Sequence, residues 1–369
     1  MSKFHSLKIK DIKKETKDAV SISFDIPENL QSDYAYLPGQ YVTLKVNVNG
    51  LTFNRSYSLC SNPYEGKEHR IAIKRVPGGK VSTYLTQMAV PGEMIEVMLP
   101  MGNFHTDLNK DAEKHYYLFG AGSGITPLFS ILKAVLSDEP KSKVTLVYGN
   151  YNSDAVIFKD ELNVLASTHS DRFNLIHVFD KPEKKGGFLG FGKKVVEELA
   201  FEEGQINQAR VRKVLLGQNL VAAEFYTCGP TGMMKAVESA LTELNIDKEK
   251  INVEYFTEKE DEDKVAINVG EAEENYDGNT EISVRCDGSD YSFSMKGKET
   301  ILDASSKNNV DPPFACMVGA CTTCRCKLNE GSVEMGDCEA LTPREIEQGY
   351  ILSCQAKPTS SIVSVDFDA

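Results

Sequence analysis

Phe314-Ala315-Cys316-Met317-Val318-Gly319-Ala320-Cys321-Thr322-Thr323-Cys324, followed by Cys354 after 29 intervening residues, is the stretch on which the reading of this chain turns. The spacing C-x4-C-x2-C…C is that of a plant-type [2Fe–2S] cluster. Two irons need four converging thiolates, and one tight loop supplies three of them only if small residues let the backbone wrap the sulfides. Gly319, Ala320, Thr322 and Thr323 are such residues, and loop amides can then hydrogen-bond the sulfurs. A structural zinc site, which would make this region a docking module, usually pairs two short C-x2–4-C knuckles. Cys354 has no close cysteine neighbour in sequence. The expected metal ligands are therefore Cys316, Cys321, Cys324 and Cys354. Cys326, opening the strand-like Cys326-Lys327-Leu328, reads as a small buried hydrophobe, and Cys338 falls in a polar loop.

Just upstream, alternating residues 282–286 and 291–295 flank Asp287-Gly288, a favoured two-residue hairpin signal. A short helix is expected over 300–308, ahead of Pro312-Pro313. The charge is uneven: residues 1–257 carry 31 acidic and 31 basic side chains, 258–280 carry 9 acids and 2 lysines, and 281–369 carry 14 acids and 8 bases. The net charge of −13 thus belongs to a solvated linker and the cysteine-bearing end. This argues against nucleic acid and suggests a basic docking surface on whatever meets the cluster. With 369 residues, 41% hydrophobic and 26% charged, the chain reads as two or three soluble globular domains. The N-terminus lacks an apolar core segment and no run reaches membrane length, so no membrane span is expected. Nine cysteines, four of them needed as thiolates, suit a reducing cytoplasm.

From Phe4 to about Phe104 short alternating segments are broken at Pro38-Gly39, Gly78-Gly79 and Pro91-Gly92, the pattern of an antiparallel barrel. Alternation along Asn54-Arg55-Ser56-Tyr57-Ser58-Leu59 places Arg55 and Tyr57 on one face, where a guanidinium suits a diphosphate and a ring suits a flat cofactor. Gly78-Gly79-Lys80-Val81-Ser82 is a glycine turn entering a helix, whose amides and Ser82 hydroxyl suit a phosphate. The apolar strand ending at Phe119 runs into Gly120-Ala121-Gly122-Ser123-Gly124-Ile125-Thr126-Pro127 and a helix, a nucleotide-binding βα unit. It departs from G-x-G-x-x-G at Pro127. Strands and helices then alternate as in an open parallel sheet, with Cys228-Gly229-Pro230 at the carboxyl end of one strand. Residues 186–192, though glycine-rich, follow no strand and read as a flexible loop.

In this order Arg55-Ser56-Tyr57-Ser58, Gly79-Lys80-Val81-Ser82, Gly120 to Pro127, Cys228-Gly229-Pro230 and Glu254-Tyr255-Phe256 resemble the ferredoxin–NADP⁺ reductase superfamily, with a plant-type ferredoxin fused at the C-terminus. The resemblance covers essentially the whole chain and is closest to the reductase subunits of phenylacetyl-CoA epoxidases. It implies a multidomain fold: an antiparallel β-barrel flavin domain over 1–106, an α/β parallel-sheet nucleotide domain over 107–257, an acidic linker over 258–280, and an α+β (β-grasp) ferredoxin domain over 281–369. It implies FAD (FMN in some relatives), NADPH or NADH, and a [2Fe–2S] cluster. Electrons would pass from NAD(P)H through these to an oxygenase component, or else to a ring-hydroxylating oxygenase, a desaturase or a hybrid-cluster protein.

By the same resemblance Arg55 binds the flavin diphosphate, Tyr57 stacks on the isoalloxazine, Ser58 approaches its N5, and Ser56 between them is a cofactor-binding residue. Gly79, Lys80, Val81 and Ser82 hold the diphosphate from the other side. Gly120, Gly122, Gly124 and Thr126 cradle the nicotinamide dinucleotide, Cys228 with Gly229 and Pro230 lies near the hydride-donating carbon, and Glu254 with Phe256 closes over the flavin. Ser58, Cys228 and Glu254 are the expected catalytic residues. Two departures bear on the donor. Asp180-Lys181 stands where NADPH-selective relatives often have serine and arginine, and Tyr151 stands where an arginine is often found.

Overall fold

The computed structural model describes residues 4–66, 68–185, 194–256, 267–296, 298–314, 317, 319, 321–336 and 340–369. Cys316, Ala320, Cys338 and the 186–192 loop singled out above lie outside them.

The alternating N-terminal segments form β1 (Phe4–Lys14), β2 (Ala19–Asp25), β3 (Tyr41–Val48), β4 (Leu51–Ser58), β5 (His69–Lys74) and β6 (Met94–Met98). They make one six-stranded antiparallel sheet in the order β4-β3-β6-β1-β2-β5. A bridge between Leu59 and Ile71 brings its two edges together, so the sheet curls into a barrel. Leu7, Ile9, Ile22, Val42, Leu44, Ile71, Ile95 and Val97 fill the inside, and α1 (Lys80–Gln87) adds Val81 and Leu85 to that core.

The second unit runs β7 (His115–Ala121), α2 (Ile125–Asp138), β8 (Lys143–Asn150), α3 (Lys159–Thr168), β9 (Phe173–Phe179), the two-residue ladder β10 (Lys184–Lys185) and β11 (Lys194–Val195), β12 (Glu202–Glu203), α4 (Gln208–Leu215), β13 (Ala223–Cys228), α5 (Thr231–Glu243) and β14 (Ile251–Glu254). Its six-stranded sheet is parallel, in the order β12-β9-β8-β7-β13-β14. The chain therefore winds outward from β7 in one direction and returns to β13 on its other side. That reversal makes a crevice at the carboxyl ends of β7 and β13, where open α/β sheets bind ligands.

Barrel and parallel sheet share one apolar cluster: Ala19, Cys60, Ala72 and Phe104 of the first pack with Leu128, Phe129, Leu132 and Tyr226 of the second. Arg70 on β5 reaches α3 in a bidentate pair, its Nη1 and Nη2 donating to Glu161 Oε1 and Oε2 at 3.0 and 2.7 Å. The Ser130 hydroxyl donates to Ser61 O at 2.7 Å, buried. Gly39, at φ +105°, turns the chain where any Cβ would meet Phe104 O at 2.3 Å and Ile131 Cδ1 at 3.2 Å. The seam is tight.

One buried group makes the second unit sensitive to acid. His177 on β9 has neither ring nitrogen partnered among the described residues, and burial pushes its pKa down to about 4. Its folded value lies below the ordinary 6.5, so the stability it carries is present above pH 6.5 and falls away as the pH drops toward 4. Between pH 7 and pH 5 denaturant unfolding of the full chain is expected to lose about 2 kcal/mol from this group. His177→Phe removes that slope; an unchanged slope in the variant assigns the acid sensitivity elsewhere.

The third unit is α+β. β16 (Asn279–Cys286) and β17 (Ser289–Lys296) form the expected hairpin, with Asp287 and Gly288 both at positive φ as the two-residue turn requires. After α6 (Ile301–Lys307), capped by the Thr300 hydroxyl accepting from Asp303 N, come β18 (Arg325–Glu330), β19 (Val333–Met335), α7 (Pro343–Glu347), β20 (Tyr350–Leu352), β21 (Lys357–Pro358) and β22 (Ile362–Asp366). The five-stranded sheet β17-β16-β22-β18-β20 is mixed, only β16 and β22 being parallel, and it grips α6. Part of the expected acidic linker belongs to this unit. β15 (Ile267–Val269) pairs with β19, and Val269 joins the unit's own core.

Candidate functional site

Two adjoining cavities open between the units, the first where all three meet and the second between barrel and parallel sheet. The first, about 800 Å³, is walled by the end of β4 (Phe53, Arg55, Ser56, Tyr57, Ser58), by the turn and start of α1 (Gly78 to Ser82), and by Glu254, Tyr255 and Phe256 after β14. Both faces of the β4 end line it, so alternation does not separate Arg55 and Tyr57 from Ser56 and Ser58. Phe53 lies under two cations, with the Arg55 guanidinium 5.9 Å and Lys80 Nζ 5.4 Å from its ring centre. The Ser82 hydroxyl accepts from Val76 N at 3.1 Å and so braces the turn before the helix. A Cβ on Gly79 would fall 2.6 Å from Ser82 Oγ, so a side chain there would have to displace the hydroxyl that braces the turn. The Ser58 hydroxyl is buried with no partner among the described residues. A buried donor facing a cavity normally has a partner, and a flavin edge supplies one.

The second cavity, about 580 Å³, lies over the carboxyl ends of β7, β8 and β13 and is lined by Gly122, Ser123, Gly124, Asn150, Asp180, Gly229 and Pro230, among others. Its glycine loop is pinned from below: Tyr148 Oη donates to Gly122 O at 2.9 Å and accepts from Ile157 N at 3.3 Å. The Asn150 amide lines the wall beside the Tyr148 hydroxyl, a polar group that suits a nucleotide. Asp180 is at the wall, while Lys181 Nζ and Lys74 Nζ stand 5.1 and 5.9 Å from the Tyr151 ring centre. Phe256, 40% exposed, lines both cavities and stands between them.

The expected glycines divide by role. Gly122 and Gly124 line the second cavity, whereas Gly120 lines neither; its missing Cβ makes room for Leu128 Cδ1, which would be 2.7 Å away. Thr126 lines the first cavity, and its hydroxyl donates to Ser123 O at 3.0 Å. Cys228 is fully buried and lines neither cavity. It pairs in register with Gly120 and Glu254, beneath the junction, and burial raises its thiol well above the ordinary value. Glu254 faces the first cavity, where burial, helped by the Cys321 thiol, pushes its carboxyl up to about 8.

Cys321, Cys324 and Cys354 are buried at the edge of the third unit. The β18–β20 ladder pairs Arg325 with Leu352, and Ser353 donates through N and Oγ to Cys324 O at 3.1 and 3.0 Å. This carries Cys354 to Cys324: their thiols hydrogen-bond, which lowers Cys354 and raises Cys324. Gly319 N and the Gln355 amide also donate toward Cys354 Sγ, the latter at 3.7 Å. Three buried thiols with amide donors around them fit an iron–sulfur cluster. Cys326 lies within β18, in register with Ile351 of β20, and burial raises its thiol. Cys321 also lines the first cavity.

Several residues at this junction carried no mark in the sequence. Lys74 lines both cavities, and its ammonium sits 3.3 Å from where a Cβ on Gly122 would be. Alternation of Arg70, Ala72 and Lys74 along β5 puts them on one face, the only local signal available. Tyr41 and Phe53 looked like ordinary strand residues.

The comparisons with known proteins agree with this geometry. Residues 6–106 match the oxidoreductase FAD-binding domain, 118–239 the oxidoreductase NAD-binding domain, and 284–359 the 2Fe-2S iron-sulfur cluster binding domain. The chain is 35% identical to one of the subunits of 1,2-phenylacetyl-CoA epoxidase from Escherichia coli, over 100% of this chain and 99% of that one. It is 32% identical to the ferredoxin reductase component of 3-ketosteroid-9-alpha-monooxygenase from Rhodococcus rhodochrous, over 98% and 96%. Among solved structures, phthalate dioxygenase reductase, described as modular for electron transfer from pyridine nucleotides to [2Fe-2S], shares the fold with a TM-score of 0.57 and 24% identity over 98% of both chains. No helix among the described residues is long and apolar enough to cross a membrane. Sheet order, paired cavities, thiol loop and full-length identity converge: the chain belongs to the family of ferredoxin reductase components that join FAD-binding, NAD-binding and 2Fe-2S domains, and it is an oxidoreductase.

Proposed function

We propose that the protein takes electrons from NADPH or NADH and delivers them one at a time to an oxygenase component of the phenylacetyl-CoA epoxidase type. The observation that carries this reading is contiguity: the nucleotide cavity meets the flavin cavity at Lys74, Ser123 and Phe256, and the flavin cavity ends on Cys321. When bound, the flavin supplies the conversion of a two-electron hydride donor into single electrons for the cluster.

The chain's own residues position and tune. Arg55, with Gly79, Lys80, Val81 and Ser82 opposite, holds the flavin diphosphate, Ser56 lies alongside, and Tyr57 stacks on the ring. The orphan Ser58 hydroxyl hydrogen-bonds the ring edge, and Glu254, protonated at neutral pH, holds a proton beside it. Gly122, Gly124, Gly229, Pro230 and Thr126 shape the bed for the dinucleotide. Gly120 and Cys228 set the close packing below it. Phe256 separates the cavities and moves aside for a nicotinamide ring to reach the flavin. Cys321, Cys324 and Cys354, with Cys316, hold the cluster, and a reducing cytoplasm keeps these thiols available. The third unit takes in Ile267 to Val269 and so begins inside the acidic run.

Anaerobic mixing of the full chain with NADH and, separately, NADPH tests this directly. Flavin absorbance should bleach first and cluster absorbance second, and adding an aromatic acyl-CoA oxygenase component should restore the cluster colour. Cluster bleaching without reoxidation by that component, but with reoxidation by a ring-hydroxylating oxygenase, would move the acceptor assignment.

A further inference from the structure

The third unit meets the barrel in a different way from the second. Barrel and parallel sheet share an apolar cluster, whereas the core of the third unit contains no barrel residue. Where the two surfaces touch, the apolar cluster among the described residues is Tyr41, Cys321 and the partly buried Met101. Polar contacts do the rest. Tyr41 Oη lies 2.9 Å from Thr322 Oγ1 and 3.4 Å from Thr323 Oγ1, and it accepts from Thr322 N at 3.0 Å. Thr43 Oγ1 is 3.3 Å from Thr323 Oγ1. Asn54 Nδ2 donates to Phe314 O at 2.8 Å, and Asn103 Nδ2 donates to Glu345 Oε2 at 2.9 Å. The three contacts from Tyr41 and the one from Thr43 fall on the two threonines between Cys321 and Cys324.

We propose that Tyr41 is a positioning residue for electron transfer: its buried hydroxyl, seconded by Thr43, latches the Cys321–Cys324 loop onto the wall of the flavin cavity. A polar seam exchanges its hydrogen bonds for water at small net cost, so it holds only as firmly as its most buried bonds. Tyr41 is 4% exposed and Thr43 fully buried; removing the Tyr41 hydroxyl strands the Thr322 amide on the other unit, and removing the Thr43 hydroxyl takes away one of the contacts that hold Thr323. The Thr322 amide is the most exposed to this loss, because Tyr41 Oη is its acceptor. With the latch closed, Tyr41 lies between the cavity it lines and the loop it holds. Electron transfer weakens steeply with separation, so a loosened seam slows the passage of one electron from the nicotinamide-reduced flavin to the oxidised cluster while leaving the earlier hydride step to its own residues.

This rests on the flavin and cluster reading above, and the two fail differently. A purified chain without cluster absorbance would sink that reading; the latch is tested only on chains that hold both groups. Tyr41→Phe and Thr43→Val keep the shape of each side chain and remove only the hydroxyl. In both, hydrogen exchange followed by mass spectrometry should rise at least tenfold in the peptide spanning the Cys321–Cys324 loop. Stopped-flow mixing with NADH should show the cluster phase slowed about tenfold. In Thr43→Val the flavin phase should keep its rate, so the ratio of the two phases moves, which a general loss of stability would not produce. Wild-type exchange at the loop in both variants overturns the proposal. So does a slowed cluster phase with unchanged exchange, which would place the effect in the flavin pocket.

Discussion

Full-length chain carrying Cys354→Ser is expected to lose the cluster's visible absorbance, and with it delivery of electrons to an oxygenase component, by at least about a hundredfold, since even losing a group that merely orients a metal ligand commonly costs about 10–100-fold. Flavin binding and NAD(P)H-driven reduction of ferricyanide should survive. Cys354 is buried, stands in thiol-to-thiol contact with Cys324, and is delivered there by the β18–β20 ladder and two bonds from Ser353. A serine hydroxyl is a harder and poorer ligand for iron than a thiolate. The flavin cavity takes no wall from Cys354, so the barrel side has no reason to change. Cys326→Ala is the matched control, because Cys326 sits within the β18 ladder opposite Ile351 and outside the C-x4-C-x2-C…C spacing. Retained cluster in Cys354→Ser, or lost cluster in Cys326→Ala, would overturn the ligand set.

Gly124→Ala should have the second large effect, on the nicotinamide step. Gly124 has an ordinary helical φ, so the backbone conformation does not demand glycine. Space does: a Cβ there would lie 2.0 Å from Cys228 O and 2.8 Å from Gly229 N, both main-chain atoms that no rotamer change can move. Either the glycine loop or the turn after β13 must shift, at a cost of about 1–3 kcal/mol typical of overpacking. Both line the nucleotide cavity. A misplacement near 1 Å in a reacting geometry costs about a hundredfold in rate, so flavin reduction by NADH and NADPH should fall by about that factor while flavin content is kept. Gly232→Ala is the control, since it lines the same cavity and an added Cβ meets nothing within 4 Å. Equal losses in the two variants would mean that the cavity, not the Gly124–Cys228 contact, is the sensitive feature.

What the sequence by itself determined is local. Cysteine spacing within one loop, Asp287-Gly288 between alternating strands, and a glycine turn between an apolar strand and a helix each reflect chemistry confined to a few neighbouring residues. Such readings need no knowledge of the rest of the chain. The resemblance of ordered motifs carried the same logic across three domains, and the barrel, the parallel sheet and the α+β unit follow in the order it implied. What only the tertiary structure decided depends on groups far apart in sequence. Lys74 is brought to both cavities because β5 ends beside the glycine loop of the second unit. Cys228, expected at the nicotinamide, is sealed beneath the junction by the close approach of Gly124 to its carbonyl. Strand β15 leaves the acidic run because pairing with β19 and burial of Val269 outweigh the solvation of its charged neighbours. Tyr41 meets Thr322 across 281 residues of chain. No periodicity or motif records a contact of that range, because its hydrogen bonds join two surfaces that exist only after each has folded.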